Sequence, residues 1–171
     1  MGLPLPPPSP VSIMAAPARR PSPRAKLLWA ITPALGWATV LIADLVWFAL
    51  DDRRHAAQGV ALVLAVVAGA CHVVAVPLWR YAVHRWEITG TAVYVRTGWF
   101  TQESRVAPLS RVQTVDTHRG PLERLLGLAT VTVTTASSAG AVRITALDLP
   151  VAEQTAAQLT AIAATDPGDA T

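Results

Sequence analysis

Any chemistry in this chain must come from a short set of side chains: four histidines, one cysteine and a few charged residues in unusual places. His55, His72, His84 and His118 are scattered, and no two stand at a metal-ligand spacing. Cys71 is alone, so it can form neither an intrachain disulfide nor a cysteine-built zinc site, and it reads as a small apolar filler. Glycine-rich phosphate loops, H-E-x-x-H and G-x-S-x-G do not occur. His118 and Arg119 before Gly120 have types suited to acid–base work, but their setting reads as an exposed turn. The chain is therefore expected to be non-enzymatic, with no catalytic, cofactor-binding or metal-binding residue.

Two ionisable residues lie inside apolar runs and are the sharpest candidates. Asp44 interrupts the run at 27–50, and His72 interrupts the run at 56–79. An ionisable group in a membrane-spanning helix points to function, to a polar helix–helix contact or to an oligomer contact. In an antiparallel hairpin turning near Arg53, Asp44 faces residues 61–64 and His72 faces Ala34. They differ in depth by roughly 15 Å, which argues against a direct relay between them.

The elements that hold these residues follow from composition. The chain has 171 residues, of which 52% are hydrophobic and 15% charged; soluble domains average about 25% charged. Mean hydropathy is +0.40, and the formal net charge of +3 is too small to argue for nucleic acid. The run at 27–50 holds eleven Leu, Ile, Val or Phe residues. Each contributes about −0.3 to −0.6 kcal/mol to insertion, against about 2.5–3.5 for one central Asp, so the run is expected to insert. Small residues recur every fourth position (Ala30, Ala34, Ala38; then Ala61, Ala65, Gly69), as closely packed helices in lipid require. Lys and Arg favour the two outer flanks over the loop at 51–55. The positive-inside rule then places both termini in the cytoplasm, the loop outside the cytoplasm, and the protein in the cell (inner) membrane.

Residues 1–26 hold eight of the fourteen prolines and no acidic residue, and read as a disordered basic tail. Met14 is an alternative start. From 80 to 163 the pattern becomes that of a soluble domain, followed by a polar tail at 164–171. Alternation at 92–96, 129–135 and 141–147 predicts half-buried strands, with further strands at 86–88, 99–106 and 112–117. PLERLLG at 121–127 predicts one helical turn, with proline in its first position and glycine past its end. A last helix is predicted over 150–163, capped by Asp148, with an apolar stripe of Ala152, Ala156, Leu159 and Ile162. The expected fold is a membrane-anchored helical hairpin, then a small antiparallel β-barrel capped by a C-terminal helix.

Two spanning helices followed by VRTG at 95–98, PLSRVQ at 108–113 and GPLERLLGL at 120–128 resemble the YdbS-like membrane proteins, whose soluble part is a bacterial pleckstrin-homology-like (PH) domain. Val112 stands where that family more often has Ile. The resemblance covers about residues 27–163. It implies a PH-like barrel on the cytoplasmic face, no established chemistry, and partnership with a larger membrane protein carrying repeated copies of the domain. Arg111 and Gln113 match the family motif. With Arg119 and Arg124 they are the candidate partner-binding residues, an ion pair of Arg111 with Asp116 or Glu103 being the structural alternative. Arg105, Arg119, Arg124 and Arg143 are candidates for a basic surface toward anionic lipid. The first hairpin turn, Thr89-Gly90-Thr91, carries no cation, which disfavours inositol-phosphate recognition there. The expected partners are the bilayer and another membrane protein or a peptide along a strand edge, with homo-oligomerisation as an alternative. A small transport or ion-conducting subunit working through Asp44 is the competing function.

Overall fold

The computed structural model describes residues 17–51, 53–98, 101–136 and 140–165. Two antiparallel helices, α1 (Ala25–Leu50) and α2 (His55–Val83), form the hairpin. With 26 and 29 residues, both are long and apolar enough to cross a membrane. Their seam uses the small residues: Ala65 and Gly69 are buried, and a Cβ added at Gly69 would lie 3.1 Å from the Trp37 ring. The looped end is fastened by Gln58, whose side-chain amide donates to the carbonyls of Trp47 (3.2 Å) and Asp51 (2.8 Å). Both carbonyls lie at the end of α1, and the Trp47 carbonyl also accepts the Asp51 amide (3.1 Å), so Gln58 binds the last turn from the side. At the other end α2 runs on to Val83 before His84 turns extended.

Six antiparallel strands follow. β1 (Arg85–Ile88), β2 (Ala92–Gly98) and β3 (Gln102–Pro108) form one meander. A 3-10 turn, Leu109–Arg111, leads to β4 (Val112–His118). The second sheet is completed by β5 (Leu128–Thr135) and β6 (Val142–Asp148). Between β4 and β5 lies α3 (Pro121–Leu126). It has proline at its start and Gly127 at φ 68° past its end, where a left-handed conformation favours glycine. Glu123 ties it down, accepting from the Gly120 amide (2.7 Å) and the Thr130 hydroxyl (2.7 Å).

The expected barrel does not close. Among the described residues the strands form two three-stranded sheets in the order β1-β2-β3 and β4-β5-β6, with no ladder between them. Pro108 ends β3 and the 3-10 turn re-aims the chain, so β4 starts a separate sheet rather than continuing the first. The two sheets share one core that includes Trp86, Val93, Val95, Val131, Val133 and Ile144. α4 (Leu149–Thr165) covers it with Ala152 and Leu159 buried and Ala156 and Ile162 packed alongside, as the apolar stripe predicts.

Two further expectations give way. The tail is not free throughout: residues 17–24 form a strap laid on the sheets. The Arg19 amide donates to the Trp86 carbonyl (3.0 Å) and the Trp86 amide to the Arg19 carbonyl (2.9 Å), so the strap adds a short bridge to the β1 edge. The buried Trp86 indole donates to the Arg20 carbonyl (3.3 Å), and the Ser22 amide to the Ala146 carbonyl (2.9 Å). Proline suits such an edge segment because its missing N–H faces no ladder partner. Secondly, Asp148 does not cap α4, because its Oδ1 accepts the Ser22 hydroxyl at 2.8 Å instead.

Candidate functional site

Three places hold the candidate residues. The first is the β4 edge. Val112 pairs with Thr135 and Thr114 with Thr134, so Gln113 is the extra residue of a bulge. Such a residue leaves the ladder and re-aims its side chain. Arg111, one turn earlier, is exposed, and its carbonyl accepts the Ala136 amide (3.0 Å). The expected ion pair is absent. Glu103 binds Arg105 (2.7 Å) and Asp116 accepts the Thr114 hydroxyl (3.2 Å). Arg111 and Gln113 are thus both exposed at an outer edge that pairs with no other strand among the described residues.

The second place is the corner around α3. Arg119 Nε donates to the Leu128 carbonyl (3.2 Å) and Arg124 Nε to the Arg119 carbonyl (3.2 Å), which brings these two arginines together. Arg24 of the strap joins them, donating to the Leu126 carbonyl (3.3 Å). This corner lies at the far end of β4 from Arg111, roughly 20 Å away along the strand. The four candidate partner-binding residues therefore form two pairs, not one patch.

The third place is the hairpin. The Trp37 indole donates to His72 Nδ1 (3.2 Å), edge-on to the ring. Asp44 lies seven residues further along α1, about 10 Å. Among the described residues no hydrogen bond or ion pair reaches its carboxylate, and Arg54 pairs with Asp51 (3.9 Å) instead. The two intramembrane candidates are not brought together. Cys71 is exposed on the outer surface of α2, so it does not fill the seam.

A fourth place lies where the hairpin meets the sheets; sequence reading names Arg105 and Arg143 for a basic surface but not their gathering here with Arg80 and His84. Arg80 lies over the Trp29 ring (4.7 Å from its centroid), Arg20 and Lys26 over Tyr81 (5.8 and 5.0 Å), and Arg19 over Trp86 (5.2 Å). The tail's cations are thus held on aromatic faces at the helix ends. His84 is buried against Trp29, and its Nε2 pairs with the Thr145 hydroxyl (3.2 Å). Burial, with the nearby Arg80 charge adding to it, pushes the His84 pKa down to about 4. A cleft of about 730 Å³ opens beside it, lined by Arg80, Thr97, Glu103, Arg105 and Arg143 among others. The residues come from α2, β2, β3 and β6, so no local spacing announces them.

Comparison with known sequences settles the kinship. The bacterial PH domain profile matches residues 27–163, which takes in both long helices as well as the sheets. The chain belongs to the bacterial PH domain family. A relative in Bacillus subtilis (strain 168), the UPF0699 transmembrane protein YdbS, is 41% identical over 61 residues. That alignment spans 36% of this chain and 35% of the relative. No solved structure matches. The PH domain here is thus part of a YdbS-like membrane protein, and the hairpin and the sheets are one matched unit.

Proposed function

We propose that this membrane protein is a non-catalytic binding module whose PH domain takes a segment of another membrane protein along the β4 edge. The observation that carries the reading is the bulge at Gln113 beside Arg111, on an edge left open while the strap covers the β1 edge. An open edge offers main-chain donors and acceptors to an added strand, and flanking side chains supply selectivity. Arg111 and Gln113 would grip the incoming chain, with the Arg119–Arg124 corner meeting it further along. A larger membrane protein with repeated PH-like domains fits this reading, as does a second copy of this chain. The Lys and Arg asymmetry supports an inner-membrane placement with both termini cytoplasmic.

The test is photo-crosslinking from position 113 in native membranes. The binding reading expects a discrete adduct that disappears in an Arg111→Ala, Gln113→Ala double variant; no adduct at all would end it. Transport through the hairpin is the competing reading, motivated by the unpartnered Asp44 carboxylate. If Asp44→Leu abolished a proton or ion flux in reconstituted vesicles, that reading would replace this one.

A further inference from the structure

The opening between the sheets is a cleft lined by several charged residues. It presents three guanidiniums, those of Arg80, Arg105 and Arg143, against one carboxylate, Glu103. Glu103 is already bound to Arg105 (2.7 Å). Arg80 and Arg143 have no carboxylate partner among the described residues. The Arg80 guanidinium carbon lies 4.7 Å from the Trp29 ring centroid, a cation–π contact that holds the head group at the cleft. A second observation points the same way. His84 is 2% exposed, lines this cleft, and its Nδ1 has no hydrogen-bond partner. Buried polar atoms in native structures nearly always have a hydrogen-bond partner, so an orphan on the wall of a cleft points to a ligand atom that would complete it.

We propose that this cleft is an anion site for a phosphate group, held between Arg80 and Arg143 with Arg105 at its rim. Forked guanidinium donors match the paired oxygens of a phosphate. The Thr97 side chain adds a hydroxyl at the wall. The position favours a ligand near the bilayer, because Arg80 lies in the last turn of the membrane-spanning α2. The same chemistry serves an anionic lipid headgroup or a free phosphate ester. The site is separate from the uncharged turn Thr89-Gly90-Thr91 and from the β4 edge, so it stands whether or not a protein binds there.

The experiment uses the full chain in an uncharged detergent. Tryptophan-detected thermal unfolding is followed while inorganic phosphate replaces chloride at constant ionic strength. In parallel, the chain is placed in nanodiscs of phosphatidylcholine with and without phosphatidylglycerol, and retained lipid is read by native mass spectrometry. Saturable stabilisation by phosphate, or selective retention of phosphatidylglycerol, is expected for the native chain. Either should weaken at least tenfold in Arg143→Gln and in Arg80→Gln. Arg53→Gln, which removes the same charge from the loop, should bind like the native chain. Response to phosphate alone assigns a free ester, and retention of phosphatidylglycerol alone assigns a lipid headgroup. The proposal is overturned if neither probe binds saturably, or if Arg143→Gln binds either as well as the native chain does.

Discussion

Ser22 and Asp148 stand 126 residues apart in sequence and 2.8 Å apart in space, hydroxyl to carboxylate. Around that bond a stretch of basic, proline-rich chain becomes part of the sheet domain. The Ser22 hydroxyl also accepts the Arg24 amide (3.3 Å), so one side chain both fastens the strap and starts the turn into α1.

Breaking this link should loosen the strap. A hydrogen bond to a charged group contributes about 1.5–3 kcal/mol, so Ser22→Ala is expected to cost an amount in that range. Asp148→Asn should cost less, because an amide oxygen still accepts. A double-mutant cycle on thermal unfolding in detergent measures the coupling, and trypsin cleavage at Arg19 and Arg20 should accelerate in Ser22→Ala. Unchanged cleavage would show that the backbone bridge to Trp86 holds the strap unaided.

Acid should weaken the sheet domain through His84. Its folded pKa, about 4, lies below the unfolded value of 6.5. Between those values the unfolded chain binds the proton and the folded chain does not, so stability is complete above pH 6.5 and declines as pH falls toward 4. The full loss is about 3 kcal/mol at about 1.4 kcal/mol per pKa unit. Melting curves of the native chain and His84→Gln between pH 4 and 7.5 check it; the variant should lose most of the slope in that window.

Gly98 is expected to tolerate no side chain. Its φ is 123°, and a Cβ there would fall 1.9 Å from the Thr101 carbonyl oxygen, which is backbone and cannot swing aside. Gly98→Ala should cost at least about 2–3 kcal/mol, since strain and a steric clash act together. It should also disturb the β2–β3 turn, as read by hydrogen exchange of the strand amides.

The hairpin seam should respond to size. Gly69→Leu would push against Trp37 and separate the helices, whereas Trp37→Phe keeps an aromatic ring and loses only the bond to His72. Interhelical hydrogen bonds in membranes contribute about 0.6 kcal/mol on average, so Trp37→Phe should be mild. Disulfide crosslinking between cysteines placed across the seam at Ala38 and Ala65 should fall sharply in Gly69→Leu and little in Trp37→Phe.

What the sequence makes legible follows from range. In β5 the valines at 131 and 133 alternate with threonines, and the burial of that strand follows the same period. Pro121 and Gly127 mark both ends of α3 because helix punctuation is local, and Gly69 marks the seam because the Trp37 ring packs close against it. The strap has no such signature. Its partners Trp86, Ala146 and Asp148 lie more than sixty residues away, and its own few residues are too short for a period. The separation into two sheets turns on Pro108 and one 3-10 turn, which a strand-by-strand reading passes over. In the candidate regions, the motif around Arg111 and Gln113 is visible, but the bulge at Gln113 exists only in the pairing with β5. Arg80, Arg105 and Arg143 gather only once three elements have packed.

The bulge in β6 joins the two ends of the hairpin to one strand. Ala146 sits at φ 57°, where two residues of β6 oppose one of β5, and this places its carbonyl against Ser22 while Thr145 meets His84. One strand therefore grips the chain just before α1 and just after α2. Both long helices are thus tied at their sheet-side ends to the strand that also carries Arg143.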